Sequence, residues 1–250
     1  MSPQDLRCSP HLTRAISPGD LAYACYLYES MSKYTKSLAT FHRSTKSALD
    51  LLAPRHREHL IEFLNAWDGR LPKATHQEIV EGLRRWWADH EGAVTRLDRG
   101  GCSLHASDTD LMGLEKVFEA LRDVPVPADK PGTRTRLGPT TASKALFALR
   151  PGLLLAWDTR IRERLKYDDS GASYVHYHRC ARRQMRQLGD ACERHGFTLA
   201  ELPEKLGRPP YTTPEQLIVE YYWITLTRGV ALPTKTQMEH WLDWSSTGMT

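Results

Sequence analysis

The chain has 250 residues, 34 basic against 30 acidic side chains and 40% apolar composition, enough for one large domain or two lobes around a shared interior. Gly and Pro together make 31 residues, near average usage, which excludes collagen-like and low-complexity classes. No apolar run approaches the roughly 18 to 20 residues of a membrane span, and the opening Met-Ser-Pro-Gln-Asp-Leu-Arg lacks the charged-then-apolar pattern of a secretion signal, so a cytoplasmic protein with no membrane partner is expected.

Helical periodicity runs through nearly the whole chain, and an all-α fold is expected. Helices are predicted near 19–50, 55–67, 76–91, 108–122, 140–149, 159–167, 173–195, 198–206, 213–228 and 235–244. Leu60, Leu64 and Trp67 repeat at i, i+4, i+7, as do Ile79, Leu83 and Trp86. Leu111, Leu114, Val117, Phe118 and Leu121 continue that pattern. Thr75–Glu78 and Thr212–Glu215 read as capping boxes. Breakers are short, Gly100-Gly101 and the Pro125 to Gly132 stretch, and Tyr174–Tyr177 alone alternates like a strand. Trp67, Trp86 and Trp223 fall on apolar faces and read as core. Five scattered cysteines, Cys8, Cys25, Cys102, Cys180 and Cys192, suit free thiols in a reducing compartment.

The charge is uneven. Residues 134–186 carry twelve Lys/Arg and four Asp/Glu, a net of +8, which leaves −4 for the remainder of a chain whose total is +4. A positive segment on a mildly acidic body suits a polyanion partner, although a solvated arginine-rich helix face reads the same way.

Within that segment lies the most informative stretch, Arg134 to Arg164. A tight Leu137-Gly138-Pro139 turn opens a helix, with Thr140 and Thr141 beside its free first-turn amides and Arg134 and Arg136 just before it. Such a helix start is suited to gripping a phosphate. An apolar helix, Pro151-Gly152, an apolar connection and Trp157-Asp158-Thr159-Arg160-Ile161 follow. Gly138-Pro-Thr-Thr-Ala142, an apolar helix and Asp158-Thr-Arg-Ile, with twenty residues from Gly138 to Asp158, resemble the helix-hairpin-helix DNA glycosylases. The resemblance spans about a fifth of the chain. It implies two helical lobes with the hairpin and the aspartate at the cleft. Helices of 1–105 and 175–250 would share one lobe of a single catalytic unit, and 106–174 would form the hairpin-containing lobe.

The resemblance further implies Asp158 as the catalytic carboxylate. It assigns DNA contacts to Arg134, Arg136, Gly138, Thr140, Thr141, Lys144 and Arg160, and a base pocket near Trp157, Tyr174 and Tyr177. The family's hairpin usually begins with a glycine where Arg136 stands. Its bifunctional members carry a Schiff-base lysine where Thr140 stands, so a monofunctional, water-using enzyme that leaves an abasic site is implied. No cofactor or metal is expected, and the partner is double-stranded DNA bearing a modified base, bound by a monomer. The chain also resembles bacterial antiphage glycosylases that remove glucosylated hydroxymethylcytosine from phage DNA, which implies antiviral defence. DNA repair of oxidised or alkylated bases is the alternative.

The chemistry follows independently of any family. Breaking a nucleoside C1′–N bond builds positive charge on the sugar, which one carboxylate can stabilise while it orients water. Asp158 is the sole acid between Asp129 and Glu163. Its bland reading is an N-cap for the next helix, and the two roles are compatible. A non-catalytic hairpin module that only holds DNA remains open. So does a metal hydrolase using His176-x-His178-x-Cys180, which a strand would bring together but a helix would splay by about 200° between positions two apart.

Overall fold

The computed structural model describes residues 8–32, 34–45, 49–72, 76–97, 108–127, 134–234 and 236–240. Helices α1 (Pro10–Thr13), α2 (Pro18–Met31), α3 (Tyr34–Thr45), α4 (Pro54–Ala66), α5 (His76–Leu97) and α6 (Asp108–Arg122) lead to a two-stranded antiparallel ribbon, β1 (Pro125–Pro127) and β2 (Arg134–Arg136). There follow α7 (Gly138–Leu149), α8 (Thr159–Leu165), α9 (Gly171–Arg194), a 3-10 turn at Leu199–Glu201, α10 (Leu202–Lys205) and α11 (Pro214–Tyr222). A π-helical turn, Trp223–Thr227, continues α11. The all-α expectation holds in this essentially helical chain, and none of the described helices is long and apolar enough to cross a membrane.

Several local expectations are corrected. The single helix expected over 19–50 breaks at Ser32, whose backbone is extended and whose Oγ accepts the Tyr34 amide, so a serine that ends α2 helps to start α3. The stretch read as a breaker opens with strand β1, whose Val126 stands opposite Thr135 of β2. Tyr174–Tyr177 is helical, because the alternation there is only a short sample of the amphipathic α9 face. At α11 the cap is one residue later than expected: Thr213 Oγ1 accepts the Gln216 amide at 3.2 Å. Thr75 lies outside the described residues. Two cysteines expected to be free, Cys8 and Cys180, are joined as a disulfide, their backbones being brought together by the contact of α1 with α9.

The core is one continuous apolar cluster. Residues expected there from periodicity, such as Leu60, Leu64, Ile79, Leu83, Trp86 and Phe118, are buried. Helix α9 packs on α6, which also meets α5 and α7, while α2 packs on α11 and α9. The α6–α9 approach depends on Gly171, where a Cβ would fall 2.6 Å from the Glu115 carbonyl oxygen. At the centre, Phe118 stacks on Tyr174 with ring centroids 4.3 Å apart, and Trp157 meets the Tyr174 edge at 5.1 Å.

Candidate active site

Asp158 sits where an extended apolar segment ends and α8 begins. Its Oδ1 accepts the Ile161 amide at 2.8 Å, and its Oδ2 accepts the Thr227 hydroxyl at 2.6 Å. The N-cap reading of this residue is therefore correct, and a side chain 69 positions away holds the other oxygen. The segment before Asp158 is fixed by α7. Ser143 Oγ lies 2.9 Å from the Thr140 carbonyl, 3.0 Å from the Trp157 carbonyl and 3.2 Å from the Trp157 amide. Trp157 Nε1 donates to the Pro139 carbonyl at 3.2 Å. The Gly138 turn and the aspartate are thus one braced unit, although they are twenty residues apart in sequence.

A cavity of about 530 Å³ opens in front of this unit. Asp158, Trp157, Thr140, Thr141, Lys144 and Arg160 all line it. Its other walls come from Tyr28, Tyr34, Trp67, Asp68, Arg70, Trp223, Thr227 and Arg228. Tyr34 and Trp67 rings lie 5.4 Å apart, and Tyr34 meets Trp223 edge-on at 6.3 Å. Trp67 Nε1 donates to the Ser37 hydroxyl at 2.9 Å, so that indole is fixed while one face remains apolar. Arg228 stacks over Trp223 at 5.4 Å.

The loop after α4 is unusual. Asp68 and Arg70 both adopt left-handed backbone conformations, with φ of 62° and 51°. Such non-glycine residues each carry about 1 kcal/mol or more of strain and concentrate at functional sites. Asp68 grips Arg70 through two hydrogen bonds of 2.9 and 3.1 Å, and this contact holds the Asp68 carboxyl below its ordinary range. Gly138 is also left-handed, with φ +79° in open space, so backbone freedom rather than room requires glycine there.

Lys144 is set deep in the cavity wall. Burial pushes its ammonium below the ordinary lysine range, Asp158 and Asp68 pull it back up, and Nζ donates to the Trp67 carbonyl. This side chain faces the pocket rather than an outer surface. Arg160 is exposed at the rim, with Nη1 3.3 Å from the Thr227 carbonyl. Arg136 stands outside the cavity on β2 and pairs with Asp123 at 3.0 Å while staying largely exposed. Arg134 lies on the same strand, and its side chain falls outside the described residues.

The aromatic assignments need correction. Tyr174 and Tyr177 do not line the cavity. They are fully buried behind it, their hydroxyls donating to the Leu155 and Ala156 carbonyls at 3.1 and 3.3 Å. The α9 face that carries them is the core face. Trp223, read as core, is half-buried and lines the cavity, and Trp67 is buried yet contributes its wall. Sequence reasoning missed Tyr28, Tyr34, Asp68, Arg70, Thr227 and Arg228. The Asp68-Gly69-Arg70 turn carried some signal, since aspartate tolerates left-handed backbone. Nothing local announced Thr227.

His176, His178 and Cys180 do not converge, because α9 is helical throughout. His178 turns inward: Nε2 accepts the Leu155 amide at 2.9 Å, and Nδ1 lies 2.9 Å from the Tyr174 carbonyl. Burial drives its imidazole down to about 4, so it is neutral in the fold. His176 and Cys180 share the opposite face, with Cys8 beside them.

No family model, no curated protein and no solved structure matches the chain.

Proposed function

We propose that this chain is a monofunctional DNA N-glycosylase that excises a modified base and leaves an abasic site. The observation that carries the reading is a carboxylate, Asp158, braced by the Gly138 turn and opening onto an aromatic-walled cavity with arginines at its mouth, where the other acid, Asp68, is paired with Arg70. The extruded base enters between Tyr34, Trp67 and Trp223, where stacking repays the lost stacking of the duplex. Arg160 and Arg228, with the Gly138 helix start, meet the flanking phosphates. Asp158 stabilises the sugar cation and orients water, which attacks C1′ as the base departs. The Ile161 and Thr227 hydrogen bonds fix the carboxylate before the charge develops, which is what preorganisation requires. In the two-lobed arrangement that the family resemblance implies, this cavity would be the cleft, and a monomer suffices.

A cavity near 530 Å³ is in the range that encloses a drug-sized ligand and is roomier than a bare pyrimidine needs. This supports a bulky modified base, such as glucosylated hydroxymethylcytosine in phage DNA, over a small oxidised or alkylated base. An antiviral role follows from that choice, and repair is the alternative. A second reading, a DNA-holding module without chemistry, is favoured by one observation: both Asp158 oxygens already have structural partners.

The deciding experiment incubates the purified chain with unmodified, oxidised, alkylated, uracil-containing and glucosylated DNA and counts abasic sites. Abasic sites are expected in one modified DNA alone, the glucosylated one. Binding to all five without base release would establish the holding module instead.

A further inference from the structure

The proposed reaction leaves one reactive cluster unused, where the segment before α1 meets α9. Cys8 and Cys180, 172 residues apart, form a disulfide with Cα atoms 5.8 Å apart. His176 precedes Cys180 by one helical turn, and its Nε2 lies 3.3 Å from Cys180 Sγ. One donor atom from each of Cys8, His176 and Cys180 falls within 4.8 Å of the other two. Cys180 is buried, while Cys8 and His176 are half-buried, so the cluster is dry on one side and open to an ion on the other.

We propose that, once the disulfide is reduced, Cys8, His176 and Cys180 form a three-ligand site for a borderline-soft divalent ion of the Zn(II) type, with water as the fourth ligand. This site is independent of the glycosylase reading. Bonds of about 2.3 Å to sulfur and about 2.0 to 2.1 Å to nitrogen in a tetrahedron place sulfur and nitrogen about 3.6 Å apart, and two sulfurs about 3.8 Å apart. The helix already sets the His176–Cys180 edge near that length, at 3.3 Å. Only Cys8 Sγ must draw back, and Cys8 lies outside regular secondary structure, where its side chain can turn without unpairing a helix. Tyr167 packs edge-on against the His176 ring at 5.7 Å and fixes its plane. Arg183 Nη1 approaches Cys8 Sγ at 3.7 Å, an outer donor suited to a metal-bound thiolate.

The balance is simple. A phosphine or thiol reductant supplies two electrons, the S–S bond breaks, and two thiols form. The ion then displaces both thiol protons to buffer, and two thiolates neutralise its double charge, as a half-buried site demands. Sequence spacing pointed to His176, His178 and Cys180. The fold substitutes Cys8 for His178, whose nitrogens are committed to Leu155 and Tyr174.

The test uses the full chain, reduced with a phosphine under anaerobic conditions and titrated with Co(II), followed by Zn(II) competition against a coloured chelator. The expected result is one equivalent of Co(II) with thiolate charge-transfer absorption and tetrahedral ligand-field bands, both displaced by Zn(II). Cys8→Ser should weaken binding by at least about 100-fold and His176→Ala by at least about tenfold, whereas Cys192→Ser, at a free cysteine outside the cluster, changes nothing. Far-UV circular dichroism confirms that each variant is folded, and Cys8→Ser alters only a half-buried side chain. The proposal is overturned if the reduced, folded chain shows no charge-transfer band. It is equally overturned if Cys8→Ser and His176→Ala bind like the parent, or if the disulfide survives the reductant.

Discussion

Thr227 donates its hydroxyl to Asp158 Oδ2 at 2.6 Å across 69 residues of sequence, tying the turn after α11 to the N-cap of α8. A hydrogen bond to an ionised group contributes about 1.5 to 3 kcal/mol. Replacing Thr227 by Val keeps the shape and removes the donor. Under the proposed reaction, base release should fall about tenfold, or ~1.4 kcal/mol, with substrate affinity unchanged. Single-turnover base release measured beside DNA binding checks this. An equal loss in both would make Thr227 a structural residue only.

Asp158→Asn separates cap from catalyst. Asparagine is as good an N-cap as aspartate, so the melting temperature should shift little. Base release should fall about 100-fold or more, on the order of 3 kcal/mol of transition-state stabilisation. A folded Asp158→Asn chain that releases base normally would leave the DNA-holding module as the better reading.

DNA binding should depend on Arg136 and Arg160 in a salt-sensitive, sequence-independent way. Each lost phosphate contact flattens the slope of log affinity against log salt by about one unit. Arg160 at the cavity rim should show the full effect on substitution by Ala. Arg136 is ion-paired with Asp123 at 3.0 Å, so Asp123→Ala should strengthen binding while Arg136→Ala weakens it. Fluorescence anisotropy at several salt concentrations reads both.

Lys144 should not form a covalent adduct. Its depressed ammonium leaves more neutral amine than an exposed lysine has, but Nζ is turned onto the Trp67 carbonyl, and under the proposed glycosylase reading Thr140 stands where a bifunctional enzyme would carry its Schiff-base lysine. Borohydride should trap nothing, and the abasic product should break only after alkali or heat. An adduct that vanishes in Lys144→Ala would replace water with the lysine in the mechanism.

His178 makes the fold acid-sensitive. Burial lowers its imidazole from 6.5 to about 4, so between those values the unfolded chain binds a proton that the native one does not. Its contribution is complete above pH 6.5 and is lost as pH falls toward 4, on the order of 3 kcal/mol. Thermal melts should show this decline. In His178→Gln the same interval should be flatter, from a lower starting stability.

The fold was legible wherever a local pattern carried it. Leu60, Leu64 and Trp67, or Ile79, Leu83 and Trp86, announce a buried helix face because period and side-chain type agree. Asp158 announced itself as a cap by its type, and as the sole acid between Asp129 and Glu163 it stood out as a candidate carboxylate. What stayed hidden depends on contacts between distant segments. Ser32 looks like any helix serine until Tyr34 needs a cap. Tyr174 and Tyr177 suit a pocket by chemistry and are assigned to the core only by which face of α9 meets α6. Thr227 and Cys8 acquire their roles from partners 69 and 172 residues away.

The π-helical turn at Trp223–Thr227, with the Arg228 amide bonding the Trp223 carbonyl at 2.9 Å, holds one residue more than an α-turn would. Each helical residue advances the chain by about 100° about its axis. Deleting one residue between Trp223 and Thr227 would let the turn close as α through that same Arg228–Trp223 bond, so Thr227 and Arg228 would keep their place beside Asp158. Were the turn to close as α at its present length, both would swing by about 100°, away from Asp158. The composition of this wall is therefore set by how the turn before Thr227 closes as well as by which residues it holds. Two chains with the same side chains here, one closing this turn as π and the other as α, would present different groups to Asp158.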